Sequence, residues 1–317
     1  MNPGLALDPD VVLLTDGGLE TELIFRDGLD LPAFAAFPLL SDAGGVDRLE
    51  RYYREYLDVA ADAGAGFVVE TPTWRAGPAW AATLGYSEDD LRRIADAAVA
   101  LGRRVLEDWS GAGPAWVSGC LGPRAEGYLP DAAMSSAQAA EYHATQVAQL
   151  ATAGADLVTA FTLGYPEEAV GVVTAAAAHG VPSVVGFTVE TDGRLPSGAP
   201  LVDAVQQVDE ATGAAASWFM VNCAHPEHVL TGVAATSPPS VGSPLSRIRA
   251  YRPNASRLSH AELDVSETLD DGDPTELAEG IRRVRSRLPG VQVIGGCCGT
   301  DVRHVRAMAR SLDLPGR

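Results

Sequence analysis

The sequence predicts a single-domain α/β protein, a (β/α)8 TIM barrel spanning residues 1–317. Three observations point there. Eight short apolar runs alternate with helical patterns along the whole chain, which is the signature of a parallel α/β architecture. The helix-to-strand junctions are repeatedly marked by small residues. No complete G-x-G-x-x-G or Walker A loop follows a strand, although an open doubly wound sheet would usually carry one. The runs lie at 11–15, 66–70, 115–120, 156–161, 183–187, 218–222, 247–251 and 291–294. Length alone allows one barrel or two ordinary domains. The two loop-like stretches, 195–200 and the Ser/Pro/Gly-rich 235–246, are too short for interdomain linkers, so one domain is expected.

Taken in order, the first run ends in Thr15-Asp16-Gly17-Gly18, a tight-turn sequence. The second is entered through Ala63-Gly64-Ala65-Gly66, where glycine suits a helix stop. Ser87, followed by Glu88, Asp89 and Asp90, opens a helix with an acidic first turn that complements the helix dipole and is expected to reach Trp109. Ser135 with Gln138 forms a capping box opening a helix that runs to Gly154. The phrases at 153–156 and 211–214 repeat the small-residue stop ahead of the fourth run and shortly before the sixth. Pro226 suits the first turn of the next helix. The eighth run delivers Gly295-Gly296-Cys297-Cys298-Gly299-Thr300.

Composition narrows the function. The chain is 46% hydrophobic and 21% charged, and no apolar run approaches the eighteen residues of a membrane span. Its first nine residues contain no Lys or Arg and no apolar core of a signal peptide, so a cytoplasmic location is expected. A formal net charge of -19 argues against nucleic acid or an anionic membrane as partner, because both require a basic face. Four cysteines are too few for a disulfide framework, and clustered thiols in a reducing compartment read as metal ligands, nucleophiles or buried small residues.

The strongest local signal is the cysteine pair in its glycine frame at the end of the eighth run. Glycine permits the close backbone approach needed to turn both sulfurs toward one point. Cys223 ends the sixth run in Val221-Asn222-Cys223, and in a barrel the sixth and eighth strands open onto the same face. Three thiolates leave a tetrahedral Zn2+ one open position, the coordination of a catalytic site. A substrate thiol there would stay a thiolate at neutral pH. Ordinary burial of Cys223 and a vicinal disulfide at 297–298 are the competing readings.

Val-Asn-Cys followed much later by Gly-Gly-Cys-Cys-Gly-Thr resembles the zinc signature of the homocysteine S-methyltransferase family. The similarity extends over nearly the whole chain. Residues 15–23, Thr71-Pro72-Thr73, Gly119-Cys120-Leu121-Gly122-Pro123 and Pro253-Asn254-Ala255 resemble the family's motifs after the first, second, third and seventh strands. The resemblance implies a barrel in which Cys223, Cys297 and Cys298 hold zinc and homocysteine sulfur takes the fourth position. It also implies substrate contacts from Asp16, Gly17, Thr71 and Asn222. The partners implied are a small-molecule thiol and a free sulfonium or ammonium methyl donor of the S-methylmethionine, S-adenosylmethionine or betaine type, since the chain has no room for cobalamin or folate modules.

Two positions depart from that pattern. Phe161 stands where the family commonly carries a glutamate that meets the substrate's amino group, and a ring offers a cation at most a π-face. Arg75 stands where Tyr or Gln is expected; it suits either a substrate carboxylate or a neighbouring acid. Glu70 and Glu190, near the ends of the second and fifth runs, are candidates to replace the missing charge. Cys120 reads as a buried strand residue, and His225 and His228 as first-turn helix residues rather than metal ligands. Two other classes fit the same residues: a zinc-dependent hydrolase or lyase acting on a carboxylate-bearing molecule, and a non-catalytic thiol-binding protein.

Overall fold

The computed structural model describes residues 5, 7–128, 133–234 and 242–312. Eight parallel strands, β1 (Leu13–Leu14), β2 (Gly66–Glu70), β3 (Ala115–Leu121), β4 (Leu157–Leu163), β5 (Ser183–Phe187), β6 (Trp218–Asn222), β7 (Ile248–Arg252) and β8 (Val293–Ile294), pair in sequence order. The barrel closes where β8 pairs with β1, Leu13 opposite Val293 and Leu14 opposite Ile294. The helices are α1 (Leu19–Phe25), α2 (Ala43–Ala63), α3 (Pro78–Thr83), α4 (Glu88–Val105), α5 (Ser136–Ala153), α6 (Pro166–Ala178), α7 (Leu201–Thr212), α8 (Pro226–Val233), α9 (His260–Asp264), α10 (Pro274–Arg287) and α11 (Val302–Ser311). No helix among the described residues is long and apolar enough to cross a membrane.

The period-two alternation of each strand separates two cores. On β6, Trp218 and Met220 join Leu13, Val68, Phe161 and Val293 inside the barrel, whereas Phe219 and Val221 face outward to the helices. Trp116 and Trp218 lie 6.4 Å apart between ring centroids and fill the barrel's lower interior.

The strand limits fall within two residues of the expected runs, and the shifts have local causes. β4 continues two residues further, through an irregular register at Thr162, a non-glycine residue with φ of 61°. β1 and β8 shorten to two residues each, β8 entirely at its N-terminal end and β1 mainly so. The helix begun at Ser87 stops at Val105, not Trp109: the indole Nε1 of Trp109 donates to the Gly113 carbonyl and closes a turn into β3. The capping boxes at Ser87 and Ser135 are both formed, each contributing about 1 kcal/mol. Gly64, Gly154 and Gly213 all end helices in the left-handed conformation, as the repeated junction phrase implies. Of the loop expected at 235–246, residues 235–241 lie outside those described.

Candidate active site at the C-terminal mouth

An open-mouthed cavity of about 610 Å³ occupies the C-terminal end of the barrel, the face on which barrel enzymes build their sites. Cys223, Cys297 and Cys298 line it, and their three sulfurs lie within 4.8 Å of one another. Cys223 and Cys298 Sγ are 3.7 Å apart. Two Zn–S bonds at the tetrahedral angle separate sulfurs by about 3.8 Å, so this donor set suits zinc. All four cysteines are free thiols.

Backbone geometry aims these sulfurs. Cys223 itself adopts φ of 57°, turning its side chain back over the barrel end, and its N–H donates to the Arg252 carbonyl at 3.0 Å. At the pair, the Cys297 N–H donates to Pro253 O at 2.8 Å and the Ala255 N–H to Cys298 O at 3.0 Å. The glycine frame works by proximity more than by unusual dihedrals. A Cβ at Gly18 would strike the Cys297 carbonyl, and one at Gly296 would strike the Thr300 hydroxyl; in the motif only Gly299, with φ of 78°, needs the left-handed region.

The thiols behave as a set. Hydrogen bonds from Cys223 and then Cys298 hold Cys297 well below the ordinary thiol range, while pairing with Cys297 pushes Cys223 up and pairing with Cys223 pushes Cys298 up. Cys120 lines the same cavity but stands outside the cluster; burial, and then the charge of Glu70, push its thiol well above the usual value. It remains a protonated, buried strand residue. His225 caps α8, accepting from the Glu227 N–H, and His228 Nε2 meets the Arg257 carbonyl at 3.1 Å; neither joins the cluster.

Asp16, Gly17, Thr71 and Phe161 all line the cavity, as expected from the sequence. Asp16 is 3% exposed; its carboxylate meets Arg252 Nη2 at 2.7 Å and accepts from Tyr52 at 3.1 Å. Burial raises its carboxyl above the usual value against the pull of those two partners. The Thr71 hydroxyl accepts from the Cys120 N–H at 2.9 Å and, because the Thr73 hydroxyl donates to Cys120 O, gives its own proton to Thr73 Oγ1 at 2.7 Å, so it shapes the wall rather than offering a free donor. Phe161 carries the Arg252 guanidinium 5.1 Å from its ring centroid.

Two residues expected at the substrate are not among those lining the cavity. Asn222 is fully buried and holds the end of β4: its Oδ1 accepts from the Thr162 N–H at 2.9 Å and its Nδ2 donates to the Thr162 hydroxyl at 2.8 Å. Arg75 is buried between Trp74 and Trp80, with its guanidinium 4.1 and 3.7 Å from their ring centroids, and pairs with Glu126 at 2.7 Å. Of its two expected partners, the neighbouring acid is the one present.

Residues missed in the sequence complete the mouth. Arg252 donates from Nε to Gly296 O at 2.8 Å and from Nη2 to Gly17 O at 2.9 Å, tying the turns after β1 and β8 to β7. Tyr128 places its hydroxyl 3.0 Å from Cys223 Sγ and stacks on His260 at 3.7 Å between centroids. His260 in turn donates from Nε2 to the Cys223 carbonyl and faces Glu190 with Nδ1 at 2.9 Å. Glu190 is thus engaged away from the cavity.

A parallel eight-stranded barrel with three converging thiols at its mouth defines a barrel whose mouth can hold a thiolate-bound metal. The homocysteine S-methyltransferase family model matches residues 13–312, and the chain belongs to that family of methyltransferases. Homocysteine S-methyltransferase 4 of Zea mays is 26% identical over 320 residues, covering 94% of this chain and 89% of that protein. Two crystal structures of the homocysteine methyltransferase MmuM from Escherichia coli share the fold. The oxidized form gives a TM-score of 0.74 at 22% identity, covering 96% of this chain and 100% of that one, and the metallated form gives 0.69 at 22% identity, covering 96% of each. Family membership decides between the competing readings of the thiols in favour of methyl transfer over hydrolysis, lysis or binding alone.

Proposed function

We propose that the protein transfers a methyl group from a small sulfonium or ammonium donor to the thiol of homocysteine or a closely related compound, with Cys223, Cys297 and Cys298 as ligands of a zinc ion. The observation that carries this reading is the convergence of three sulfurs within 4.8 Å in the lining of the cavity at the barrel mouth. Zinc, when bound, supplies a Lewis-acidic centre that keeps a thiol deprotonated at neutral pH.

The chain's own residues do the rest. Cys223, Cys297 and Cys298 would hold the metal through their sulfurs, a donor set that would leave it able to take a substrate thiol as a further ligand. The turn at Asp16 and Gly17, anchored by Arg252, forms one wall, and Thr71 with Phe161 forms another. Trp74, Phe34, Tyr128 and Phe161 give the cavity an aromatic lining that excludes water and offers π-faces to a cationic methyl donor. Water exclusion raises the reactivity of a thiolate toward a positively charged donor, and confinement of both reactants contributes the proximity term. The Tyr128 hydroxyl, 3.0 Å from Cys223 Sγ, orients that ligand. The free thiols and the acidic charge support action in the reducing cytoplasm on small-molecule partners.

Elemental analysis of the purified protein tests the metal, and a homocysteine methylation assay with S-methylmethionine, S-adenosylmethionine and betaine tests the reaction. About one zinc per chain is expected, lost together with activity in Cys298→Ser. Full activity in metal-free protein would overturn the reading.

A further inference from the structure

Three acids line the cavity, and they differ in what satisfies them. Asp16 is paired with Arg252 and hydrogen-bonded by Tyr52. Glu20 is half-buried at the start of α1. Glu70, at the end of β2, is 7% exposed, forms no ion pair within 4 Å, and its Oε2 is buried with no hydrogen-bond partner. A buried carboxylate oxygen left in this state is costly, on the order of 1–3 kcal/mol or more, and beside a cavity it is a place for a donor group of a ligand to bind.

Arg252 does not serve as that partner. Its Nε and Nη2 are committed to Gly296 O, Gly17 O and the Asp16 carboxylate, and its Nη1 is buried without a partner. The cavity therefore presents an unsatisfied acceptor on Glu70 and an unsatisfied donor on Arg252, close enough for their charges to act on each other but not joined in an ion pair within 4 Å.

The type of cation that fits Glu70 follows from hydrogen bonding. An exposed π-face suffices for a sulfonium or a quaternary ammonium, which has no N–H to donate. An acceptor oxygen without a donor calls for N–H groups, and a primary ammonium brings three. Resting on the function proposed above, we infer that Glu70 and Arg252 recognise the two charged ends of an amino-acid thiol, the Glu70 carboxylate taking the ammonium and Arg252 Nη1 the carboxylate. The charge pattern places ammonium recognition on β2, while β4 contributes the uncharged ring of Phe161, on which the Arg252 guanidinium rests. Burial raises the Glu70 carboxyl to about 8, against the pull of Arg252 and the hydroxyls of Ser118 and Thr159. An arriving ammonium restores the ionised form.

The test uses zinc-loaded protein and three probes: homocysteine, 4-mercaptobutanoate, which lacks the amino group, and 3-aminopropane-1-thiol, which lacks the carboxylate. Calorimetric titration of the wild type should show homocysteine bound at least about tenfold tighter than 4-mercaptobutanoate. Glu70→Gln, close in shape, should weaken homocysteine and 3-aminopropane-1-thiol by a similar factor and leave 4-mercaptobutanoate within about twofold. Equal losses for all three probes, or none, would overturn the inference. If the variant does not fold, the wild-type series decides: indifference to the amino group overturns it, and a preference for the amine that Glu70→Asp retains upholds it. Methylated product, measured separately, reports on the reaction. A protein that binds the amine-bearing thiols through Glu70 and methylates none upholds this inference and overturns the proposed function, whereas one that methylates 4-mercaptobutanoate as well as homocysteine does the reverse.

Discussion

Replacing Arg252 with Met removes the one side chain that reaches from β7 to the turns after both β1 and β8. Three links are lost: those to the Gly296 and Gly17 carbonyls at 2.8 and 2.9 Å, and the 2.7 Å contact with the Asp16 carboxylate. Asp16 is 3% exposed, so its charge cannot be rehydrated in place. Breaking one partner out of a buried pair costs about 3–5 kcal/mol, of which loss of hydrogen bonds to carbonyls is a part and not an addition. Urea unfolding of zinc-loaded wild type and variant measures this. With a slope of about 3 kcal/mol per molar, the midpoint should fall by roughly 1–1.7 M.

Two controls identify the cause. Asp16→Asn in the Arg252→Met background should cost far less than the same change in wild type, because the stranded charge is already the main defect. The variant should also be less impaired at pH 5 than at pH 8. Without Arg252 the Asp16 carboxyl rises further, the folded state binds a proton at low pH, and stability is lost as pH rises through that value. A loss below about 1 kcal/mol, or strict additivity of the two substitutions, would refute the clamp.

Two further outcomes are expected. Asn222→Ala should destabilise by about 1–3 kcal/mol in the same unfolding assay, since it strands the buried N–H of Thr162 in its left-handed conformation; a change under about 0.5 kcal/mol would remove Asn222 from that role. Burial, aided by the charge of Arg257, lowers His225 to about 4. The unfolded state then binds the extra proton first, so stability present above pH 6.5 is lost as pH falls toward 4. His225→Asn, which keeps an N-capping side chain, should make melting temperature less steep with pH over that window; an unchanged slope would show that His225 does not contribute.

The parts of the molecule legible in the sequence are those set by local chemistry. The barrel was readable because most strands are largely apolar runs and several helix ends carry their own stop, as at Gly64, Gly154 and Gly213. The sulfur cluster was readable because Cys297 and Cys298 share one glycine-framed turn and Cys223 ends a strand two positions away in the barrel. What was not legible depends on which side chains meet across the mouth. Arg252 looked like any arginine at a strand end; its role comes from backbone carbonyls 235 and 236 residues earlier in sequence. A basic residue ahead of Pro253 in a strand otherwise buried was the available signal. Arg75 offered a fork that suits a carboxylate, but Trp74 and Trp80 close over it and Glu126 is within reach. Asn222 sits beside Cys223 in sequence and shares the inward register of Trp218 and Met220, yet its side-chain amide is committed to the end of β4 at Thr162.

The seam between β1 and β8 sets an order of events. Each strand there has two residues, and the closure is reinforced by Gln292, whose side-chain amide donates to Asp8 O and Val11 O at 2.6 and 2.8 Å. Cys223 lies far upstream of Cys297, and the last strand must dock between β7 and β1 before the three sulfurs can meet. A nascent chain emerging from the ribosome therefore carries one of the three clustered thiols for most of its synthesis and gains the other two at the final strand. If the proposed zinc binds there, its capture by all three thiols would report that the barrel has closed, because a chain stalled before residue 297 lacks two of the three sulfurs.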